Sequence, residues 1–125
     1  KNGIKHPLYK NKDKKFNSPA FNFDEVVKIP DKGICLASNK INKVQGLYFE
    51  VNKTKIWGLQ YHPEITYEKM INLIEFRKER LIESRKVFKD DTEVQKHIAF
   101  IKKEISVSDK EKRMLELKNW LNELN

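Results

Sequence analysis

The sequence predicts an α/β fold in which short strands come first and helices follow, on three observations. All four glycines and all four prolines fall within residues 1–64, and residues 65–125 contain neither, so turns are concentrated in the first half. Apolar residues alternate at Leu47, Phe49 and Val51, whereas from Tyr67 they recur at Met70, Ile71, Ile74 and Leu81, the spacing of one helical stripe. Thr92 with Gln95, and Ser108 with Glu111, form capping-box patterns, in which a hydroxyl and a carboxylate or amide three residues on satisfy opposing backbone donors at a helix start.

Taken in order, Ala20 to Val27 is a β-prone run, and Ile29-Pro30-Asp31-Lys32-Gly33 is a turn. Gly33 to Ser38 is the next strand. Val44 to Val51 and Lys55 to Tyr61 form a hairpin about Asn52-Lys53-Thr54, with Leu47, Phe49 and Val51 expected on the packed face and Tyr48 and Glu50 on the wetter one. Ile56-Trp57-Gly58-Leu59 reads as the more deeply buried strand. A first helix is expected from Tyr67 to about Val87, a second after Thr92 over Val94, Ile98 and Ile101, and a third after Ser108 over Met114, Leu117, Leu121 and Leu124. Trp57 and Trp120 sit in apolar patterns and are assigned to packing.

With 125 residues, 38% hydrophobic and 35% charged, one domain with one modest core is expected. No run of about 18 apolar residues is present, so no membrane partner is expected. The single cysteine, Cys35, cannot close an intrachain disulfide, and a reducing, cytoplasmic setting is expected. His6, His62 and His97 show no metal-ligand spacing, so neither a metal nor a cofactor is expected.

The net charge of +8 invites a nucleic-acid reading, but 22 of the 26 basic residues are lysines. Lysine lacks the planar fork that reads bases and grips phosphate bidentately, and no aromatic residues interleave with the basic excess. No nucleic-acid partner is expected, and Lys10, Lys12, Lys14 and Lys15 are read as a solvated loop.

The chemistry-bearing segment is Trp57-Gly58-Leu59-Gln60-Tyr61-His62-Pro63-Glu64. Residues i and i+2 of extended backbone project to the same side roughly 6.5–7 Å apart. Glu64 can therefore reach His62, fix its tautomer and stabilise its imidazolium, which is the base-plus-orienter half of a nucleophilic triad. By spacing alone, two polar residues in a strand-to-helix loop would be the better account of the pair.

The whole string Gly58-Leu59-Gln60-Tyr61-His62-Pro63-Glu64 closely resembles the G-[VLI]-Q-[FY]-H-P-E signature of the class I glutamine amidotransferases. Phe23-Asp24-Glu25-Val26, Ile29-Pro30 and Leu36-Ala37-Ser38-Asn39 are similar to that family's H-x-D-x-V, L-P and L-A-S stretches, in the same order. The tail from Arg113 to Leu121 resembles the C-terminal helix of stand-alone, GMP-synthase-like amidotransferases. The resemblance covers roughly residues 7–80 and implies a flavodoxin-like amidotransferase domain, of which residues 1–87 would be the C-terminal part and 88–125 a helical extension. It implies that His62 is the base that deprotonates a cysteine and that Glu64 orients it. The implied substrate is glutamine, hydrolysed at its side-chain amide through a glutamyl thioester, and the implied partner is an ammonia-accepting synthase.

Two departures from the pattern matter. Asn22 stands where the family commonly has histidine, and it cannot titrate. The family's nucleophile sits on a G-x-C-x-G elbow well before the histidine; Cys35 follows a turn, has Ala37 in place of the second glycine, and is read as a buried strand residue. The chain opens at Lys1 in what reads like the middle of a domain, so the nucleophile is expected on a missing N-terminal portion, and the isolated 125 residues are expected to be inactive. The alternative is a catalytically inactive scaffold that binds a partner.

Overall fold

The structure is a computed structural model in which residues 3–124 are described. Contacts divide the chain into two units: one built from 3–64 together with 110–124, and a second from Ile65–Asp109. This division by packing falls at other places than the 87/88 boundary implied by the family resemblance. Buried side chains accordingly fall in two groups rather than one modest core.

In the first unit, β1 (Ile34–Ala37), β2 (Gly46–Val51) and β3 (Thr54–Leu59) form a sheet in the order β1-β2-β3 with both pairs antiparallel. Antiparallel pairing follows from the short connections. Asn52 and Lys53 both hold positive φ, 48° and 68°, the mirror-image turn whose twist matches a two-residue hairpin. Val51 then pairs with Thr54, and the register runs through Tyr48 with Trp57 to Gly46 with Leu59. Coarsely the chain is α/β; the parallel sheet of a flavodoxin-like fold is not among the described residues.

The turn before β1 closes by Gly33 N–H donating to the Pro30 carbonyl at 2.8 Å, with Lys32, not the glycine, in the left-handed region at φ 62°. Gly33 is required for space instead: a Cβ there would lie 2.5 Å from Ile29 Cγ2 and 2.8 Å from the Pro30 oxygen. The expected strand over Ala20–Val27 shrinks to one bridge, Ala20 with Tyr61. Its backbone is instead occupied locally, with Asn22 Nδ2 donating to the Asp24 carbonyl at 2.9 Å.

The sheet face that packs is the reverse of the one expected. Leu8, Tyr9, Leu36 and Tyr61 form the buried cluster, and Ile34, Tyr48, Trp57 and Leu59 pack against it. His6 lies between Tyr48 and Trp57, with ring centroids 4.9 and 5.1 Å away. Leu47 and Phe49 are only half-buried and Val51 is exposed. The turns formed by Gly3–Lys5 and Pro7–Tyr9 supply the side chains that cover the Tyr48 side, so this long-range packing and not strand alternation decides which face is inside. Burying Leu8, 2% exposed, contributes about 2–3 kcal/mol.

The C-terminal helices belong to the same unit. α3 (Lys110–Arg113) and α4 (Leu115–Glu123) are separated at Met114, where one unbroken helix was expected. α4 packs on the Pro7–Tyr9 turn, and Asn119 Nδ2 donates to the carbonyls of Leu8 and Lys10 at 2.8 and 3.0 Å. Trp120 does not pack as expected and is 43% exposed.

Lys12 is the clearest departure from the solvated-loop expectation. Its ammonium is almost fully buried against a fully buried Glu116, Nζ to Oε2 at 2.8 Å, and it also donates to the carbonyls of Lys112 and Arg113 at 2.9 and 3.4 Å. Such an ion survives burial because its donors are met by a charge and two carbonyls, the latter at the carboxyl end of α3.

The second unit is helical. α1 (Tyr67–Phe76) starts as expected, capped by the Thr66 hydroxyl accepting from Lys69 N at 3.1 Å. A π-helical turn, Arg80–Ser84, ends the run before Lys86 enters the left-handed region, slightly short of Val87. α2 (Asp91–Val107) begins ahead of the expected Thr92 start: Asp90 Oδ1 accepts from Glu93 N at 3.0 Å, and Glu93 Oε2 accepts from Lys89 N at 2.6 Å. A charged pair outcompetes Thr92 and Gln95, and Gln95 donates to Glu75 instead. Ser108 likewise ends α2 rather than capping a new helix. Ile74 of α1 and Val94, Ile98 and Ile101 of α2 are buried between 0 and 4% exposed.

Candidate active site

β3 ends at Leu59, and the chain beyond it stays anchored. Gln60 N–H donates to the Gln45 carbonyl at 2.9 Å, and His62 N–H donates to the Pro19 carbonyl at 2.7 Å. Tyr61 and Pro63 are buried, while the His62 and Glu64 side chains are 37% and 51% exposed. The segment therefore turns His62 and Glu64 outward between anchored neighbours.

His62 Nδ1 and Glu64 Oε1 lie 2.8 Å apart. Partial burial pushes the Glu64 carboxyl up, but the hydrogen bond from His62, a backbone hydrogen bond and the charges of His62 and Arg113 outweigh it and hold the group below its usual range. An ionised carboxylate can only accept, so Nδ1 carries the proton and the basic lone pair of the neutral ring is on Nε2. A ring held this way can accept a proton at Nε2 while the carboxylate stabilises the imidazolium. Phe21 flanks the imidazole, centroids 6.3 Å apart.

Cys35 sits on β1 opposite Leu47, and its thiol faces the carbonyls of Ala37 and Lys43, each at 3.4 Å. It lines a cavity of about 490 Å³ with Tyr9, Phe16, Ser18, Gln45 and Tyr61 among others; neither His62 nor Glu64 lines that cavity. Asn22 is turned onto its own loop. Among the described residues no group of three or more His, Cys, Asp or Glu could hold a metal ion, and no helix is long and apolar enough to cross a membrane.

Sequence reasoning missed two residues that contact this segment. Arg113 Nη1 donates to the Pro63 carbonyl, between His62 and Glu64. Glu116 Oε1 accepts from the Tyr61 hydroxyl at 2.7 Å, and Tyr61 in turn accepts from Tyr9, their oxygens 2.8 Å apart. Their spacing of three in a helical pattern puts both on one face, but nothing local in the sequence says what that face meets.

Comparison with known proteins finds partial similarities. The chain is 31% identical over 64 residues to the gamma-glutamyl-L-1-hydroxyisopropylamide hydrolase of a Pseudomonas species, covering 51% of this chain and 21% of that protein. It is 38% identical over 68 residues to one of the component chains of the glutamine-hydrolyzing GMP synthase of Methanocaldococcus jannaschii, covering 54% of this chain and 35% of that one. No family model and no solved structure matches. The matches span about a fifth and a third of the length of these two relatives. Over about half its length, and at low identity, the chain has a class I amidotransferase-like relationship.

Proposed function

We propose that these residues carry the base half of a site that hydrolyses the side-chain amide of glutamine. The observation that carries the reading is the 2.8 Å His62–Glu64 contact at the end of β3, inside the string Gly58–Glu64. The names of both relatives support it, since one hydrolyses a γ-glutamyl amide and the other glutamine, itself a γ-glutamyl amide.

In this reading the nucleophilic cysteine lies on a portion of the domain N-terminal to these residues. His62 Nε2 takes the thiol proton, the thiolate attacks the amide carbon, and the carbon–nitrogen bond breaks as His62 returns the proton to the leaving ammonia. Water then cleaves the glutamyl thioester to glutamate, and the ammonia passes to a synthase. Glu64 stays ionised throughout and holds the ring.

The test is ammonia release from glutamine by the full product of the gene and, separately, by the 125-residue chain. The full product is expected to be active and to lose activity by a factor on the order of 10⁶ with His62→Ala, while the 125 residues alone remain at background. A robust rate from the 125 residues that Cys35→Ser abolishes would overturn the placement of the nucleophile. A full product without activity would leave the partner-binding scaffold as the better account.

A further inference from the structure

Three consecutive residues alternate in burial just beyond β3: Tyr61 is buried, His62 is half-exposed and Pro63 is buried. Both buried members are held by one stretch of the C-terminal helices. Glu116 accepts the Tyr61 hydroxyl at 2.7 Å on one side of His62, and Arg113 donates to the Pro63 carbonyl on the other. We propose that Arg113 and Glu116 are positioning residues for His62, a clamp that holds the Tyr61 side chain on one side of the imidazole and the Pro63 carbonyl on the other and so fixes its direction toward Glu64. The proposal rests on the amidotransferase reading, in which the orientation of His62 matters.

Several features make the clamp stiff. Glu116 is 0% exposed and its second oxygen is engaged by Lys12 at 2.8 Å, so the carboxylate cannot swing away without stranding a buried ammonium. Lys12 also binds the carbonyls of Lys112 and Arg113, which ties the clamp's two residues to one cation. The hydrogen-bond polarity is fully assigned: Tyr61 spends its proton on Glu116, so Tyr9 must donate to Tyr61. His62 N–H, donating to Pro19 at 2.7 Å, adds a third anchor from the N-terminal segment. With these points fixed, the remaining freedom of His62 is its two side-chain torsions, and the Glu64 contact closes those. Arg113 adds a second effect, because its charge favours the ionised form of Glu64, the form that can only accept from Nδ1.

The test reads the imidazole directly, without requiring turnover. Nitrogen-15 shifts of His62 in the 125-residue chain report the tautomer, and carbon-13 shifts report the titration of the Glu64 carboxyl. The parent is expected to show the Nδ1-protonated tautomer. Arg113→Met, which keeps the side-chain stem, is expected to collapse the Nδ1/Nε2 shift difference toward that of a ring exchanging between tautomers and to raise the Glu64 midpoint, and Arg113→Lys is expected to bring the midpoint back toward the parent value. Tyr61→Phe removes the hydroxyl that Glu116 grips, and it is expected to loosen the tautomer without moving the Glu64 midpoint as far; it carries the comparison if Arg113→Met does not fold. Parent-like tautomer ratios in the folded variants overturn the clamp. Glu64→Leu, which removes the acceptor, separates the two levels: if it leaves the His62 tautomer unchanged, the His62–Glu64 reading itself fails. If Glu64→Leu shifts the tautomer and the clamp variants do not, only the clamp fails.

Discussion

Replacing Lys12 by methionine keeps most of the stem and removes the ammonium from a site where little water can replace it. Lys12 Nζ is within hydrogen-bonding distance of Glu116 Oε2 at 2.8 Å and of the Lys112 and Arg113 carbonyls at 2.9 and 3.4 Å, and it lies 4.4 Å from the centre of the Phe16 ring. The side chains are 4% and 0% exposed, so Lys12→Met leaves a carboxylate facing Tyr61 with no compensating cation. Removing one partner of a buried pair costs about 3–5 kcal/mol. Glu116→Leu strands the ammonium instead and is expected to cost a similar amount. The double variant buries no charge, so it should be less destabilised than the sum of the two by about 1–3 kcal/mol. Urea unfolding at neutral pH followed by tryptophan fluorescence measures this well, because both Trp57 and Trp120 belong to the unit that contains the pair. A single-variant loss below about 1 kcal/mol, or additivity within about 0.5 kcal/mol, would refute a buried and mutually dependent pair.

Three further outcomes follow from the geometry. Gly46→Ala places a Cβ 2.5 Å from the Tyr9 hydroxyl oxygen and 3.3 Å from Ala37 Cβ, and is expected to cost about 1–3 kcal/mol, while at Gly58 the nearest atom is Leu47 Cγ at 3.4 Å; equal melting temperatures for the two alanine variants would contradict the packing of β2 on Tyr9. Lys53→Gly removes a side chain from a left-handed position, φ 68°, and should stabilise the hairpin by about 1 kcal/mol, seen as a raised melting temperature; a lowered one would argue against the mirror-image turn. Burial lowers His6, with Lys55 acting in the same direction against Glu123, and burial lowers His97 as well, so the unfolded chain binds more protons than the folded one as pH falls through 6.5. Stability should therefore drop as pH falls from about 7.5 to about 5, with His6→Gln flattening part of the slope in a melting-temperature series; a flat or opposite profile in the parent would show that these rings are not held neutral.

The parts that were legible in the sequence are those whose partners lie nearby in it. The Asn52-Lys53 hairpin, the start of α1 behind Thr66 and the approach of Glu64 to His62 each depend on residues within four positions. Even at short range, chemistry of similar strength competed: Asp90 with Glu93 displaced Thr92 with Gln95, because charged acceptors bind helix N–H groups more strongly than neutral ones. What could not be read are the pairings across the chain. Lys12 looks like its neighbours Lys10, Lys14 and Lys15 until Glu116 is placed beside it. The inner face of β2 is illegible for the same reason, since alternation marks two faces and only the turns carrying His6, Leu8 and Tyr9 choose between them.

The connection of the two units has a consequence for how the chain comes to be folded during synthesis. Ile65–Asp109 is a continuous stretch, complete once its last residue has been made. The unit carrying the sheet is not: its bonds from Lys12 to Glu116 and from Leu8 to Asn119 join residues 104 and 111 positions apart. Its first 64 residues must wait through the translation of the whole helical insertion, with Lys12 solvated and the Leu8 turn uncovered, before the helix that closes them exists. Chains halted before residue 110 would thus present a finished helical segment beside three paired strands that still lack their covering helix, with the buried partners of Leu8 and Lys12 not yet made.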